Sequence, residues 1–232
     1  MITLTDIEKI IPSLKENWIN PGPDGRMRWG GRDERDTWQS VFLERETQMG
    51  LLEIINGLEN VSDMTVLDLG CEAGLWSVIL SQKFKKVIAM DRDETSITNS
   101  KKTLKIFDSF GFDVSNIELI HCRFQTDDGG KFKTLEPNKK EILLEYDAMF
   151  LVDSVGTNDN LQFFEEYNDV LSKVKMIIRT DRENFETPIE QQEEYIEKAR
   201  KKYQENNFNL TEFKTMIHCR RADVFIGRND NI

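Results

Sequence analysis

Two glycines and two carboxylates stand at spacings that suit the binding of a nucleoside. Gly70 and Gly74 follow the apolar run Val66–Leu69, which carries Asp68 near its end. Asp91 closes a second apolar run roughly 20 residues further on, where a carboxylate can accept hydrogen bonds from ribose hydroxyls. Glycine lets the backbone turn sharply and approach a ligand closely. These residue types therefore predict a nucleoside site.

A strand, a loop and a helix must position these side chains. Val66–Leu69 is a short apolar run, which suits a strand buried on both faces of a parallel sheet. After Gly74, apolar residues recur at helical spacing, and the first N–H groups of such a helix would point at the ligand. Val87–Met90 reads as a second buried strand that ends at Asp91. The two strands leave room for one crossover helix between them.

The segment Asp68–Gly74, with the pattern Asp-x-Gly-x-x-x-Gly, resembles the first motif of class I S-adenosylmethionine-dependent methyltransferases. Asp91 matches the second acidic motif of that family. The dinucleotide pattern G-x-G-x-x-G does not fit, because Glu72 and Leu75 stand where it needs glycine. The resemblance implies an α/β fold with a Rossmann-like, doubly wound and mostly parallel seven-stranded sheet. A C-terminal antiparallel hairpin would complete that sheet.

The resemblance also implies S-adenosylmethionine as the cofactor and S-adenosylhomocysteine as the product. Glu72 and the loop backbone would meet the amino-acid end of the cofactor, Asp91 would bind the ribose, and Asp68 would order the loop or reach the ammonium group. Phe124, at the end of the third predicted strand, either stacks on the base or lies in the core. We expect Asp91→Ala to weaken cofactor binding by about tenfold or more, with little change in the thermal midpoint. The residues expected to bind the cofactor are Asp68, Gly70, Cys71, Glu72, Gly74, Asp91, Arg92, Arg123, Phe124 and Asp153.

Methyl transfer from a sulfonium is an in-line displacement, so the protein must align the acceptor with the methyl carbon and supply a base where a proton leaves. Asp153 is the first candidate base, because it follows the predicted strand Tyr146–Val152 and would face the same crevice as Asp68. His218 in the late hairpin is a second candidate. His121 on the third strand is either a third candidate or a core histidine.

Asp181 is also a candidate base, and together with Asp153 it raises the question of a metal ion. Catechol-type O-methyltransferases place Mg²⁺ ligands at the ends of the fourth and fifth strands, where these two carboxylates stand. Here Arg182 follows Asp181, and an adjacent cation disfavours a divalent ion. We therefore expect no metal site.

The predicted division of the chain is a helical N-terminal extension over residues 1–60 and a single-core methyltransferase domain over residues 61–232. The extension contains the segment Arg26–Glu46, which is rich in arginine and tryptophan. Its arginines either hold the cofactor carboxylate or an anionic substrate, or pair with neighbouring acids on the surface. Thr126–Lys140 is predicted to be a loop or a short hairpin, and Asp93 is predicted to cap the helix after the second strand.

Charge and composition disfavour several classes of partner. The formal net charge is −11, and so acidic a surface repels phosphate backbones, which disfavours nucleic acid. No apolar run approaches the roughly 18 residues of a membrane span, and Met1–Lys15 lacks the apolar core of a leader. Three cysteines without C-x-x-C spacing favour neither a disulfide framework nor a zinc site. We expect a cytoplasmic protein with no membrane partner, and the sequence leaves its oligomeric state open.

The predicted function is methylation of a small molecule at oxygen or nitrogen by S-adenosylmethionine. Asp-Ser-Val-Gly follows the fourth predicted strand, in place of the Asn-Pro-Pro-Tyr-like motif of nucleobase amine methylases. Two alternatives stay open. One is RNA methylation, with Arg26–Arg35 as a local basic groove, and the other is a regulatory protein that binds the cofactor without catalysis.

Overall fold

The computed structural model describes residues 1–17, 45–125, 131–134, 145–151, 174–182, 189–217 and 220–229. Helices and strands alternate through most of these ranges, as expected for a parallel sheet with crossover helices. The helices are α1 (Leu4–Asn17), α2 (Arg45–Asn56), α3 (Leu75–Ser81), α4 (Glu94–Ser109) and α5 (Ile189–Glu205). The strands are β1 (Thr65–Leu69), β2 (Lys86–Asp91), β3 (Ile117–Gln125), β4 (Lys131–Thr134), β5 (Ala148–Leu151), β6 (Met176–Arg182), β7 (Asn209–Ile217) and β8 (Arg220–Arg228).

The strands form one eight-stranded sheet in the order β4-β3-β2-β1-β5-β6-β8-β7. The pairs from β3 through β6 are parallel, while β8 runs antiparallel to both β6 and β7. The predicted α/β fold and its C-terminal hairpin are therefore confirmed. The strand beyond the predicted seven is β4, which pairs antiparallel with β3 and comes from the Thr126–Lys140 segment that was predicted to be a loop or short hairpin.

The strand order reverses at β1, which pairs with β2 on one side and β5 on the other. In open α/β sheets, ligands bind beyond the carboxyl ends of the strands at such a reversal. Gly70–Gly74, which we call the glycine loop, begins directly after β1. The topology thus places the predicted site at the edge of the sheet where this fold binds ligands.

The apolar runs of the central strands are buried because helices cover both faces of the sheet. In β1, Val66 belongs to the core cluster on the face of α1 to α4, and Leu67 belongs to the cluster on the opposite face with Tyr203 of α5. Neighbouring residues of β5 divide between the two clusters in the same way. This two-sided burial explains why the strands show no alternation of polar and apolar residues.

The N-terminal helices share the core of the sheet. Ile7, Ile10 and Leu14 of α1 are buried in the same cluster as Val66. The side-chain amide of Asn56 donates to the Ile2 carbonyl at 3.1 Å, which ties the end of α2 to the N-terminus. The division into an extension over residues 1–60 and a domain over residues 61–232 stays a prediction.

Candidate cofactor-binding site

The glycine loop follows β1, and hydrogen bonds connect it to the end of β2. The backbone N–H groups of Gly70 and Cys71 both donate to the Met90 carbonyl at 2.8 Å. Gly70 and Gly74 adopt left-handed φ angles of 78° and 76°, a region that glycine enters without steric cost. The N–H of Gly74 donates to the Cys71 carbonyl at 2.8 Å, and α3 begins at the next residue. The sequence therefore predicted the loop and its helix correctly.

Asp91 connects the glycine loop to the turn that follows β2. One carboxylate oxygen accepts the backbone N–H of Glu72 at 2.9 Å, and the other accepts that of Asp93 at 2.8 Å. Burial raises the pKa of Asp91, and these two hydrogen bonds oppose that rise. An ionised carboxylate has about four acceptor positions, so two backbone donors leave room for ribose hydroxyls. The carboxylate thus lies at the predicted strand end and can still accept from a ligand.

Asp68 is a buried carboxylate within β1, with only 3% of its surface exposed. The Ser77 hydroxyl on α3 donates to its Oδ2 at 2.5 Å. Burial raises the pKa of Asp68 to about 7, the Ser77 hydrogen bond opposes the rise, and the negative charge of Asp91 adds to it. A cationic group placed beside Asp68 would favour its ionised form. The environment therefore suits a ligand that carries a positive charge.

Several other predicted cofactor residues lie around the same turn. Cys71 is buried, and burial raises the pKa of its thiol well above the usual range. Glu72 is exposed and adopts a left-handed φ of 49°. Arg92 and Arg123 are both exposed, at the ends of β2 and β3. The structure therefore brings Cys71, Glu72 and Arg92 close to Asp91 through the backbone.

His121 is the one candidate base whose side chain the structure describes. It lies beside Asp91 in the pairing of β2 with β3, and its Nε2 is 3.1 Å from the Arg92 carbonyl oxygen. This contact holds the imidazole against the turn after β2.

The remaining predicted positions are described in part or lie outside the described residues. The backbone of Phe124 pairs with Phe132 in the β3–β4 hairpin, and Asp181 belongs to β6 opposite Asp223. Asp153, Ser154, His218 and residues 18–44 lie outside the described residues. Within the described ranges, no group of three or more histidine, cysteine, aspartate or glutamate side chains is arranged to hold a metal ion.

Two serines that the sequence reasoning missed contact the site. Ser77 donates to Asp68, and Ser100 on α4 donates to the Glu72 carbonyl at 2.7 Å. A single sequence says little about these serines, because their roles depend on how α3 and α4 pack against the loop. Ser77 comes three residues after Gly74, and this position in the first turn of α3 is the only available signal.

We expect Gly74→Ala to destabilise the protein by about 2–4 kcal/mol, from backbone strain together with a steric clash. A Cβ atom at Gly74 would lie 2.9 Å from the Ser100 hydroxyl oxygen, at a φ of +76°. Gly111→Ala is the matched control, because Gly111 has a φ of +88° but its added Cβ meets no atom within 4 Å. Urea unfolding of both variants measures the difference. If both variants lost the same free energy of unfolding, a side chain at position 74 would make no steric clash with Ser100.

A surface groove of about 710 Å³ lies elsewhere, between α2 and the strands β7 and β8. Its lining includes Glu53, Glu212 and Arg228. Arg228 pairs with Met176 at the start of β6, whereas the glycine loop follows the end of β1. The groove therefore lies toward the amino ends of the parallel strands. It is separate from the candidate site, which lies at their carboxyl ends.

One family model matches part of the chain. The family model of the tellurite resistance protein TehB matches residues 42–128, which include the glycine loop and Asp91. No curated protein matches the sequence. None of the helices in the described ranges has the length and apolarity needed to cross a membrane.

Solved structures with the same fold include several methyltransferases. Magnesium protoporphyrin IX methyltransferase from Synechocystis PCC 6803, with bound S-adenosylmethionine, aligns with a TM-score of 0.60 and 13% identity, over 94% of this chain and 97% of that chain. A putative RNA methyltransferase from Pyrococcus horikoshii aligns with a TM-score of 0.53 and 13% identity, over 100% and 99% of the two chains. Precorrin-6y C5,15-methyltransferase from Geobacter metallireducens GS-15 aligns with a TM-score of 0.50 and 14% identity, over 78% and 89%.

These matches confirm the resemblance to class I methyltransferases and the predicted fold. They also support the predicted enzyme class, an S-adenosylmethionine-dependent methyltransferase, and the predicted cofactor. The similar proteins differ in what their names say they act on, so they leave the methyl acceptor open.

Proposed function

We propose that this chain, with its class I methyltransferase fold, transfers the methyl group of S-adenosylmethionine to an oxygen or nitrogen atom of a small molecule. The observation that carries the proposal is Asp91, a carboxylate at the tip of β2 that also fixes the loop after β1. A ribose that lies over β2 would meet this carboxylate while the amino-acid end of the cofactor follows the glycine loop. One residue would thereby set the position of both parts of the ligand.

Charge distribution in the described part of the site fits this ligand. S-adenosylmethionine carries an ammonium group and a sulfonium, and Asp68 and Asp91 are two buried carboxylates at neighbouring strands. Burial disfavours their charged forms, and a bound cation would offset that cost. In our proposal Asp68 faces the ammonium group and Asp91 binds the ribose.

The transfer itself needs alignment more than it needs a strong base. The bound cofactor supplies an electrophilic methyl group, and the protein must present the acceptor atom in line with the sulfur–carbon bond. Asp153, His218 and His121 stay the proposed bases for an acceptor that loses a proton. His121 is held against the turn after β2, so it would act from the ribose side of the site.

A small molecule is favoured over RNA as the acceptor because of charge. The chain has a net charge of −11, which opposes the approach of a phosphate backbone. The similar fold of magnesium protoporphyrin IX methyltransferase is consistent with a small-molecule acceptor. RNA methylation through Arg26–Arg35 remains the alternative to be tested, since a protein of similar fold is named a putative RNA methyltransferase.

The proposal is tested by incubating the protein with methyl-labelled S-adenosylmethionine and cell extract, followed by separation into small-molecule, RNA and protein fractions. Tellurite is added in a parallel reaction because of the matched TehB family model. We expect labelled product in the small-molecule fraction, and less of it with Asp91→Ala. Label in RNA would favour the alternative, and cofactor binding without any transfer would identify a regulatory protein. Absence of binding in calorimetry would overturn the proposal.

A further inference from the structure

The backbone of Glu72 is held on both sides of its Cα atom. Its N–H donates to Asp91 of β2 at 2.9 Å, and its carbonyl accepts the Ser100 hydroxyl of α4 at 2.7 Å. Between these two bonds, Glu72 keeps a left-handed φ of 49°, which is uncommon for a residue with a side chain. The unusual conformation at the middle of the loop is therefore stabilised by contacts from outside the loop.

The small side chain of Ser100 packs closely against the glycine loop. Its side chain is completely buried, and its hydroxyl oxygen lies 3.9 Å from the Cys71 sulfur. A Cβ atom at Gly74 would come within 3.0 Å of the Ser100 Cβ, so the absence of a side chain at Gly74 lets α4 approach closely. A larger residue at position 100 would displace the loop, and an apolar one would leave the Glu72 carbonyl without this donor.

We propose that Ser100 is a positioning residue, which holds the glycine loop in the shape that receives the amino-acid end of S-adenosylmethionine. This inference rests on the proposed function. A loop that is already ordered loses less conformational freedom when the ligand binds, so the hydroxyl strengthens binding without touching the reacting atoms. The effect therefore appears in cofactor affinity, while the rate of methyl transfer at saturating cofactor stays the same.

The test compares Ser100→Ala with Ser81→Ala. Ser81 is a buried serine at the far end of α3. Its hydroxyl donates to the Val78 carbonyl at 2.7 Å and accepts from the Gln82 side-chain amide at 2.8 Å, so its replacement removes buried hydrogen bonds away from the loop. We expect Ser100→Ala to raise the dissociation constant of S-adenosylmethionine about tenfold, as for the loss of one hydrogen bond. Ser81→Ala should leave the dissociation constant within about twofold, although it removes at least as many buried hydrogen bonds as Ser100→Ala.

Hydrogen exchange of the ligand-free proteins provides a second readout that needs no cofactor. The amides of Cys71–Gly74 should exchange faster in Ser100→Ala than in the wild type, and Ser81→Ala should leave them unchanged. Unchanged loop exchange in Ser100→Ala, or equal affinities in the two variants, would overturn the inference. If the wild type binds no S-adenosylmethionine, the proposed function fails and with it the cofactor role, while the exchange rates still decide whether Ser100 orders the loop.

Discussion

Asp91→Ala is expected to weaken S-adenosylmethionine binding by about tenfold or more and also to lower the thermal midpoint. The sequence alone predicted little change in the midpoint, and the contacts of Asp91 revise that expectation. In the structure the carboxylate accepts the N–H groups of Glu72 and Asp93, so its removal deprives two backbone donors of their partner. Leaving such donors unsatisfied costs about 1–3 kcal/mol, on top of the lost contact with the ribose. Calorimetry with the cofactor and thermal unfolding without it measure the two effects.

Asp93→Ala is the matched control for this prediction. Asp93 caps α4 by accepting the N–H of Thr95 at 2.9 Å, and its loss costs about 1 kcal/mol. Asp93 lies only two residues from Asp91 in the chain. The N–H of Glu72 in the glycine loop nevertheless donates to Asp91 and not to Asp93. We therefore expect Asp93→Ala to lower the midpoint while affinity stays within a few fold. If both variants lose affinity equally, Asp91 has no specific role in binding.

Asp68→Asn is expected to remove most of the pH dependence of stability of the ligand-free protein between about pH 4 and pH 7. The pKa of Asp68 rises from 3.8 to about 7 on folding, chiefly because the side chain is buried. The folded state then binds a proton that the unfolded state releases, so this contribution is complete below pH 4 and is lost as the pH rises through 7. The loss amounts to about 4 kcal/mol, and urea unfolding across this range would detect it.

The same substitution should affect stability and binding in opposite directions. At pH 8, Asp68→Asn should be more stable than the wild type, because it buries no charge. It should nevertheless bind S-adenosylmethionine more weakly, since the carboxylate opposite the ammonium group is gone. If the substitution only disrupted the fold, the variant would lose both stability and affinity for the cofactor. Parallel pH profiles for the wild type and Asp68→Asn would show that Asp68 does not titrate in this range.

Ser77→Ala offers a control on the cause of that pH dependence. The Ser77 hydroxyl donates to Asp68 and lowers its pKa, against the larger effect of burial. Without this donor the pKa should rise further, and the decline in stability should extend to higher pH. Asp91, whose pKa burial also raises, keeps its own contribution in both variants.

The sequence predicted the parts of the fold and site that depend on local pattern. Continuous apolar runs indicated strands buried on both faces, and Asp68–Gly74 indicated the loop, because the glycines it needs are visible as residue types. The roles of Ser77 and Ser100 were not predictable, because they arise from the packing of two helices against one loop. The strand β4 is short and polar, so its pairing with β3 leaves little trace in the sequence.

The hydrogen bonds described above for the glycine loop are made within a short stretch of chain. The bonds from the loop reach Met90, Asp91 and Ser100, so the partners lie between Asp68 and Ser100. These bonds are local in sequence, so residues that lie close together along the chain set the shape of the glycine loop. We therefore expect chimeras that exchange the chain beyond β3 to keep the shape of this loop while they change which acceptor is received.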